Sequence, residues 1–306
     1  MKIPNVTKGY LFAFTAAIAL ANVYIFSKAA LNQVSLPQFG FYWFGFAIFW
    51  NFLYSTVSGH FKTINRLSGF QIRNLLGIGL MEVIATTSIF LAINTIANPT
   101  IPAFVRNLEP ICIVVLGVFV LNEKLNRIEL IGVILTIFGT LIVSYNKNGS
   151  LEHLFINGVQ YLFISSIFYA IRTIWSKTVI HKITPLTLNL NKVVALFLTS
   201  CISLIFAHQS LVIPSEAILN ILIGSLLGPF YTSFAQFSSL KYIDASRTAL
   251  IQGTTGFFTL ILAYFFFDTL PFAYQVSGGI ITLTGLAFLT LKKKSLRFSL
   301  ILVKNN

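Results

Sequence analysis

Apolar residues fill long, nearly uninterrupted runs along this chain, separated by short polar or basic breaks. A helix needs about 20 mostly apolar residues to cross a bilayer. That rule predicts ten spans, at approximately 9–31, 37–58, 72–94, 99–121, 127–145, 156–179, 187–207, 216–238, 245–267 and 271–291. The connections between them are short, and no stretch is left over for a soluble domain. The expected fold class is an all-α integral membrane protein with ten transmembrane helices. Lys2 and Lys8 precede a first run too long for a signal-peptide core, so that run is expected to stay as the first span.

Lys and Arg between the runs set the orientation, because cytoplasmic loops carry the excess of positive charge. With the N-terminus inside, 16 of the 21 Lys and Arg fall on the inner side. Only Lys28 and Lys147 fall outside, and Arg106, Arg172 and Lys192 remain within spans. Both termini are therefore expected in the cytoplasm of a cell membrane, which an even number of spans allows.

The pattern also repeats. Gly9 to Lys28 contains Tyr-Leu-Phe and ends Ile-Phe-Ser-Lys; Gly158 to Lys177 contains Tyr-Leu-Phe and ends Ile-Trp-Ser-Lys, an offset of 149. Pro37 and Pro185 follow at nearly the same offset. Two five-helix units are expected, 1–148 and 149–306, the second ending in a short basic tail. Five is odd, so the two units must run in opposite directions, a plan that places transport sites at the repeat interface. Under an offset of 145, Asn107 falls on Gln252 and Glu109-Pro110 on Thr254-Thr255. The two copies have diverged where charge sits.

One stretch carries a more specific signal. It contains Asn107-Leu108-Glu109-Pro110-Ile111, then an apolar run, then Leu121-Asn122-Glu123-Lys124-Leu125, then Leu130, Gly132 and Gly139. This order resembles the EamA family of the drug/metabolite transporter superfamily. The resemblance implies a ten-span permease that moves small organic metabolites such as amino acids, often outward, by alternating access with proton coupling or exchange. It also implies that the fifth and tenth helices pack outside the central cavity as a scaffold.

Composition supports the membrane reading and removes others. The chain has 306 residues, 56% of them hydrophobic and 9% charged, where soluble domains carry about 25% charged residues. Mean hydropathy is +0.83. The net charge of +13 sits mainly at the ends of apolar runs, so nucleic acid is not an expected partner. Cys112 and Cys201 both lie within apolar runs, and no metal-type Cys/His spacing, zinc-protease motif or phosphate-binding loop occurs. Neither cofactor nor metal is expected. The expected partners are a small-molecule substrate and the lipid bilayer, and a homodimer is compatible with the sequence.

Ionisable residues at membrane depth are costly and so are candidate functional residues. Glu82 and Glu109 lie near the middle of the third and fourth spans, and the other six acidic residues lie at or near span ends. Arg106 and Glu109, three apart, share a helix face and can pair. A carboxylate at this depth can couple protons, bind a substrate amine, or merely fix packing through its pair. Pro110 lacks an N–H and should leave the Arg106 carbonyl without its helical partner. Arg172 and Lys192 have no acidic neighbour in sequence; each can either snorkel to the inner surface or bind an anion, and Arg172, the deeper of the two, can also serve as a pairing residue. Asn107, Tyr231, Gln236 and Gln252 are further candidate polar liners. Gly132 and Gly139, and Gly278 and Gly285, are each seven apart and read as helix-packing seams. Lys28 and Lys177 read as interfacial anchors. The alternative function is an exchanger of anionic metabolites using the buried cations. Intramembrane charge argues against a pure scaffold, and the missing catalytic pattern argues against an enzyme.

Overall fold

The computed structural model describes residues 4–57, 67–121, 127–145, 156–243 and 245–290. Among these residues the secondary structure is helical, with no strand. Most of the orienting loop charges, including Lys62, Arg66, Lys124, Lys147 and the basic tail, lie outside them, as do His60 and His153. The helices are α1 Asn5–Leu31, α2 Leu36–Val57, α3 Gly69–Thr95, α4 Thr100–Val105, α5 Leu108–Leu121, α6 Arg127–Ser144 and α7 Val159–Val179. They continue as α8 Pro185–Phe206, α9 Ser215–Ser225, a π-helical segment Leu226–Thr232, α10 Ser233–Tyr242, α11 Ala245–Gln252, α12 Thr255–Phe267 and α13 Ala273–Thr290. Four continuous helical stretches are by length and composition able to cross a membrane: Asn5–Leu31, Gly69–Thr95, Pro185–Phe206 and Ser215–Tyr242.

Two of the expected single spans are broken helices. The first breaks at Arg106–Asn107, between α4 and α5; the second breaks at Gly253–Thr254, between α11 and α12. Both breaks are tightened turns. Asn107 N–H donates to the Phe104 carbonyl at 3.0 Å and Glu109 N–H to the Arg106 carbonyl at 2.9 Å. In the second break, Thr254 N–H reaches the Ile251 carbonyl at 3.1 Å and Phe257 N–H the Thr254 carbonyl at 3.1 Å. The expected free carbonyl at Arg106 is thus corrected. The helix breaks before Pro110, and the turn supplies the carbonyl with a donor three residues on instead of four.

The main packing partners join the front of the chain to its back. α6 lies along α13, α3 along α7, α2 along α8, and α1 against α9 to α12. In the α6–α13 pair, Thr136 donates to the Gly132 carbonyl and Thr282 to the Gly278 carbonyl, both at 2.8 Å. A Cβ at Gly139 would stand 2.5 Å from the Gly278 carbonyl oxygen, and one at Gly285 2.6 Å from that of Gly132. Small residues let these backbones touch, and any side chain would force them apart. Leu130, Ile134 and Phe138 on α6 face outward, where apolar surface suits lipid.

Two lysines tie helix ends at equivalent places. Lys28, near the end of α1, is buried and donates to the Ile93 and Asn94 carbonyls at 3.0 and 3.2 Å. Lys177, near the end of α7, donates to the Leu240 and Ile243 carbonyls at 2.7 and 3.0 Å. Carbonyls at a helix C-terminus lack intrahelical donors and carry partial negative charge, so an ammonium satisfies both needs. The anchoring role expected for these lysines is corrected: they cap α3 and α10.

Candidate functional site

The site begins with one carboxylate. Glu82 lies midway along α3, is 1% exposed, and receives two cations from two other helices. Its Oε2 is 2.9 Å from Arg172 Nε on α7, and its Oε1 is 2.8 Å from Lys192 Nζ on α8. Thr86, one turn along α3, donates to Oε1 at 3.0 Å. Snorkelling is therefore not what Arg172 and Lys192 do: both turn inward to the same acid. Each neutralises charge that would be costly if left bare at this depth.

From Arg172 a directed chain of donors crosses the molecule. Both terminal nitrogens of Arg172 donate to Gln236 Oε1 at 3.3 Å, and Gln236 Nε2 donates to Gln252 Oε1 at 3.1 Å. A guanidinium can only donate, so it fixes the orientation of Gln236. That in turn fixes Gln252 with its Nε2 facing away. Gln252 closes α11 at the second helix break.

The first helix break carries the second charge pair. Arg106 Nε meets Glu109 Oε2 at 3.1 Å across the turn. Asn107, Glu109, Pro110 and Gln252 share a small void of about 10 Å³ between the two breaks. Among the described residues, Asn107 Nδ2, Glu109 Oε1 and Gln252 Nε2 are buried there without a hydrogen-bond partner. Tyr169 joins the two charge centres. The Arg106 guanidinium lies 4.6 Å from its ring centroid and that of Arg172 5.1 Å, while its hydroxyl is 2.8 Å from Thr86.

These groups surround a central cavity of about 50 Å³. Arg106, Arg172 and Lys192 all line it, together with Tyr24, Thr86 and Tyr169. Neither Glu82 nor Glu109 does; both stand behind the cations. The apolar part of the wall includes Trp43, Phe44 and Phe90. Pro229, in the π-helical segment, opens the helix opposite, and Thr232 Oγ1 there donates to the Leu227 carbonyl at 2.7 Å. Proline cannot donate to the helical ladder, and a π-bulge is a common way to absorb that, often at functional sites. Asn189 on α8 holds this segment to α2, donating to Asn51 Oδ1 at 2.8 Å and the Phe230 carbonyl at 3.3 Å.

Aromatic clusters flank the cavity toward both ends of the bundle. Toward the start of α2, Phe39, Trp43 and Phe90 interlock with ring centroids 4.7 to 5.9 Å apart. A further cavity of about 90 Å³ lies there, sharing Phe44, Thr86 and Phe90 with the central one. Toward the start of α1, Tyr54 meets Phe230 and Phe234 at 5.7 and 5.4 Å, and Phe12 meets Phe234 at 6.4 Å. A larger cavity of about 390 Å³ is lined there by Phe12, Phe234, His181, Lys182 and Lys241.

Of the candidate residues, Glu82, Arg172, Lys192, Gln236 and Gln252 form one connected network, and Arg106, Asn107 and Glu109 meet its end. Tyr231 is half-buried in the π-helical segment and does not line the cavity. Tyr24, Thr86 and Tyr169 were not singled out by sequence reasoning. The signal for two of them is spacing: Thr86 follows Glu82 by four residues and Tyr169 precedes Arg172 by three, so each shares a face with its charged neighbour. Tyr24 lies between Val23 and Ile25, and its charged neighbour at that spacing, Lys28, belongs to a helix end and not to the cavity.

Known proteins resemble this one along nearly its whole length. The model described as "EamA-like transporter family" matches twice, over residues 7–145 and 156–291. A relative from Bacillus subtilis (strain 168), named "Uncharacterized transporter YxxF", is 25% identical over 252 residues, which span 78% of this chain and 75% of the relative. A protein of known crystal structure superposes with a TM-score of 0.71 at 16% identity, covering 93% of this chain and 96% of that one. At that identity the likeness speaks for the fold alone.

Proposed function

The chain belongs to the EamA-like transporter family, and from that premise we propose that it is a secondary transporter whose substrate site is the central charged cavity. It is a multi-pass membrane transporter; the reading goes further on four points. The helices are read as ten crossings, with the broken pairs α4–α5 and α11–α12 each counting once. They fall into two inverted units, 1–148 and 149–306. Both termini face the cytoplasm of the plasma membrane. The cargo is a small organic metabolite such as an amino acid, moved outward by alternating access with proton coupling or exchange.

One observation carries the reading of the site. Three cations from α7, α8 and the α4–α5 break line one cavity between two aromatic clusters, and buried Glu82 of α3 pairs with two of them from behind. Charge at this depth has a high cost and a scaffold has no need of it. Broken helices and a π-bulge around the cavity fit a site where irregular backbone lines a polar path. The family also favours transport over catalysis.

Purified protein in proteoliposomes tests it. Labelled amino acids and organic acids should exchange across the membrane, and Arg172→Gln should abolish exchange without unfolding the bundle. Folded protein that moves none of them would contradict the reading.

A further inference from the structure

We infer that the substrate of this cavity is a monovalent organic anion, held by its carboxylate. The inference rests on the transport reading above and narrows it, from small organic metabolites in general to monovalent anions and from proton coupling or exchange to exchange. Three cations, Arg106, Arg172 and Lys192, line the cavity, and the two carboxylates nearest to them, Glu82 and Glu109, stand behind and do not. In their usual ionic forms, three positive and two negative groups leave one positive charge uncompensated at the cavity wall. An unpaired charge at membrane depth is unfavourable. A ligand of charge −1 completes the set; a zwitterion leaves it as it was, and an ammonium ion worsens it.

The geometry suits the head group. Arg106 and Arg172 both lie against the Tyr169 ring, at 4.6 and 5.1 Å, and share the cavity wall with Lys192, so a carboxylate in the cavity is faced by cationic donors. Charge-assisted hydrogen bonds from guanidinium to carboxylate are among the stronger ones. Trp43, Phe44, Ile89 and Phe90 supply an apolar wall for the body of the molecule. The anion-loaded site is neutral and can reorient without moving net charge, whereas the empty site carries +1. The carrier therefore works by exchanging one organic anion for another.

The test varies the head on a constant body. Labelled 4-methylpentanoate is bound to purified protein and competed with leucine, 4-methylpentanamide and 4-methylpentylammonium. The carboxylate should bind at least about tenfold more tightly than the amide or the ammonium, the step expected of a hydrogen-bonded charge, with leucine between. Lys192→Gln, which leaves Glu82 paired with Arg172, brings the count to zero and should erase the preference for 4-methylpentanoate over leucine. Preference for the amide or the ammonium, equal binding of all four, or binding of none overturns the inference. So does a Lys192→Gln protein that keeps the full preference. Carboxylate binding without movement into proteoliposomes would fail the transport reading while leaving the anion class standing.

Discussion

Glu82 holds Arg172 and Lys192 at once, so its charge cannot be removed without stranding both. Glu82→Gln should destabilise the protein by about 3–5 kcal/mol, the cost of breaking a buried pair from one side. Thermal unfolding in detergent would register it as a large drop in midpoint. Adding Lys192→Gln should recover part of the loss, and no recovery would mean that Lys192 carries little of the pairing. Arg106 and Glu109 behave differently, because their pair closes a turn. If Glu109 takes part in proton coupling, Glu109→Gln should bind substrate and exchange it but lose accumulation driven by a pH gradient. The double change Glu109→Gln with Arg106→Gln separates coupling from packing. Restored folding together with restored gradient-driven transport would leave the pair as structural support only. At this scale the sequence was informative about Glu82 and Glu109, since an acid inside an apolar run is visible without a fold. It also placed Arg172 and Lys192 inside spans, but it was uninformative about what they pair with. Their partner lies on another helix far away in the chain, and no local spacing could reveal it.

At the scale of elements, backbone contact decides more than side-chain chemistry. The α6–α13 seam has carbonyl oxygens where a Cβ at Gly139, Gly278 or Gly285 would stand. Gly278→Leu should lower thermal stability by about 1–3 kcal/mol or more through overpacking. The protein that survives should keep its affinity for 4-methylpentanoate, as measured by the same competition assay. A selective loss of affinity at normal stability would put the seam in the substrate path. The equivalent lysines offer a second test of the repeat. Lys28→Met and Lys177→Met each leave two helix-end carbonyls without that donor, and similar drops in unfolding midpoint are expected. Helix existence was legible because bilayer thickness sets the length of an apolar run. The breaks were not. Pro110 pointed to a disturbance, but the turn forms at Arg106–Asn107, and its counterpart at Gly253–Thr254 contains no proline at all. The lysines likewise matched in sequence, yet nothing in sequence shows which helix end a long side chain will reach.

At the scale of the molecule, both halves of the sequence line the central cavity, with residues from Leu20 to Arg106 in the first half and from Tyr169 to Gln236 in the second. Cysteine labelling tests the orientation: Val212→Cys should react from outside intact cells, and His181→Cys should not. Reaction at His181 from outside would invert the topology. The family and the helical character were legible from the NLEPI and LNEKL segments and the apolar runs. Much of the charge character of the site was not, because it depends on which side chains face the cavity and which stand behind. The most direct measurement is exchange of labelled 4-methylpentanoate from loaded proteoliposomes. An anion site between the two aromatic clusters predicts that 4-methylpentanoate outside accelerates efflux, that 4-methylpentanamide does not, and that Arg172→Gln abolishes the acceleration. Efflux equally fast into buffer containing no organic anion, or unaffected by Arg172→Gln, would contradict it.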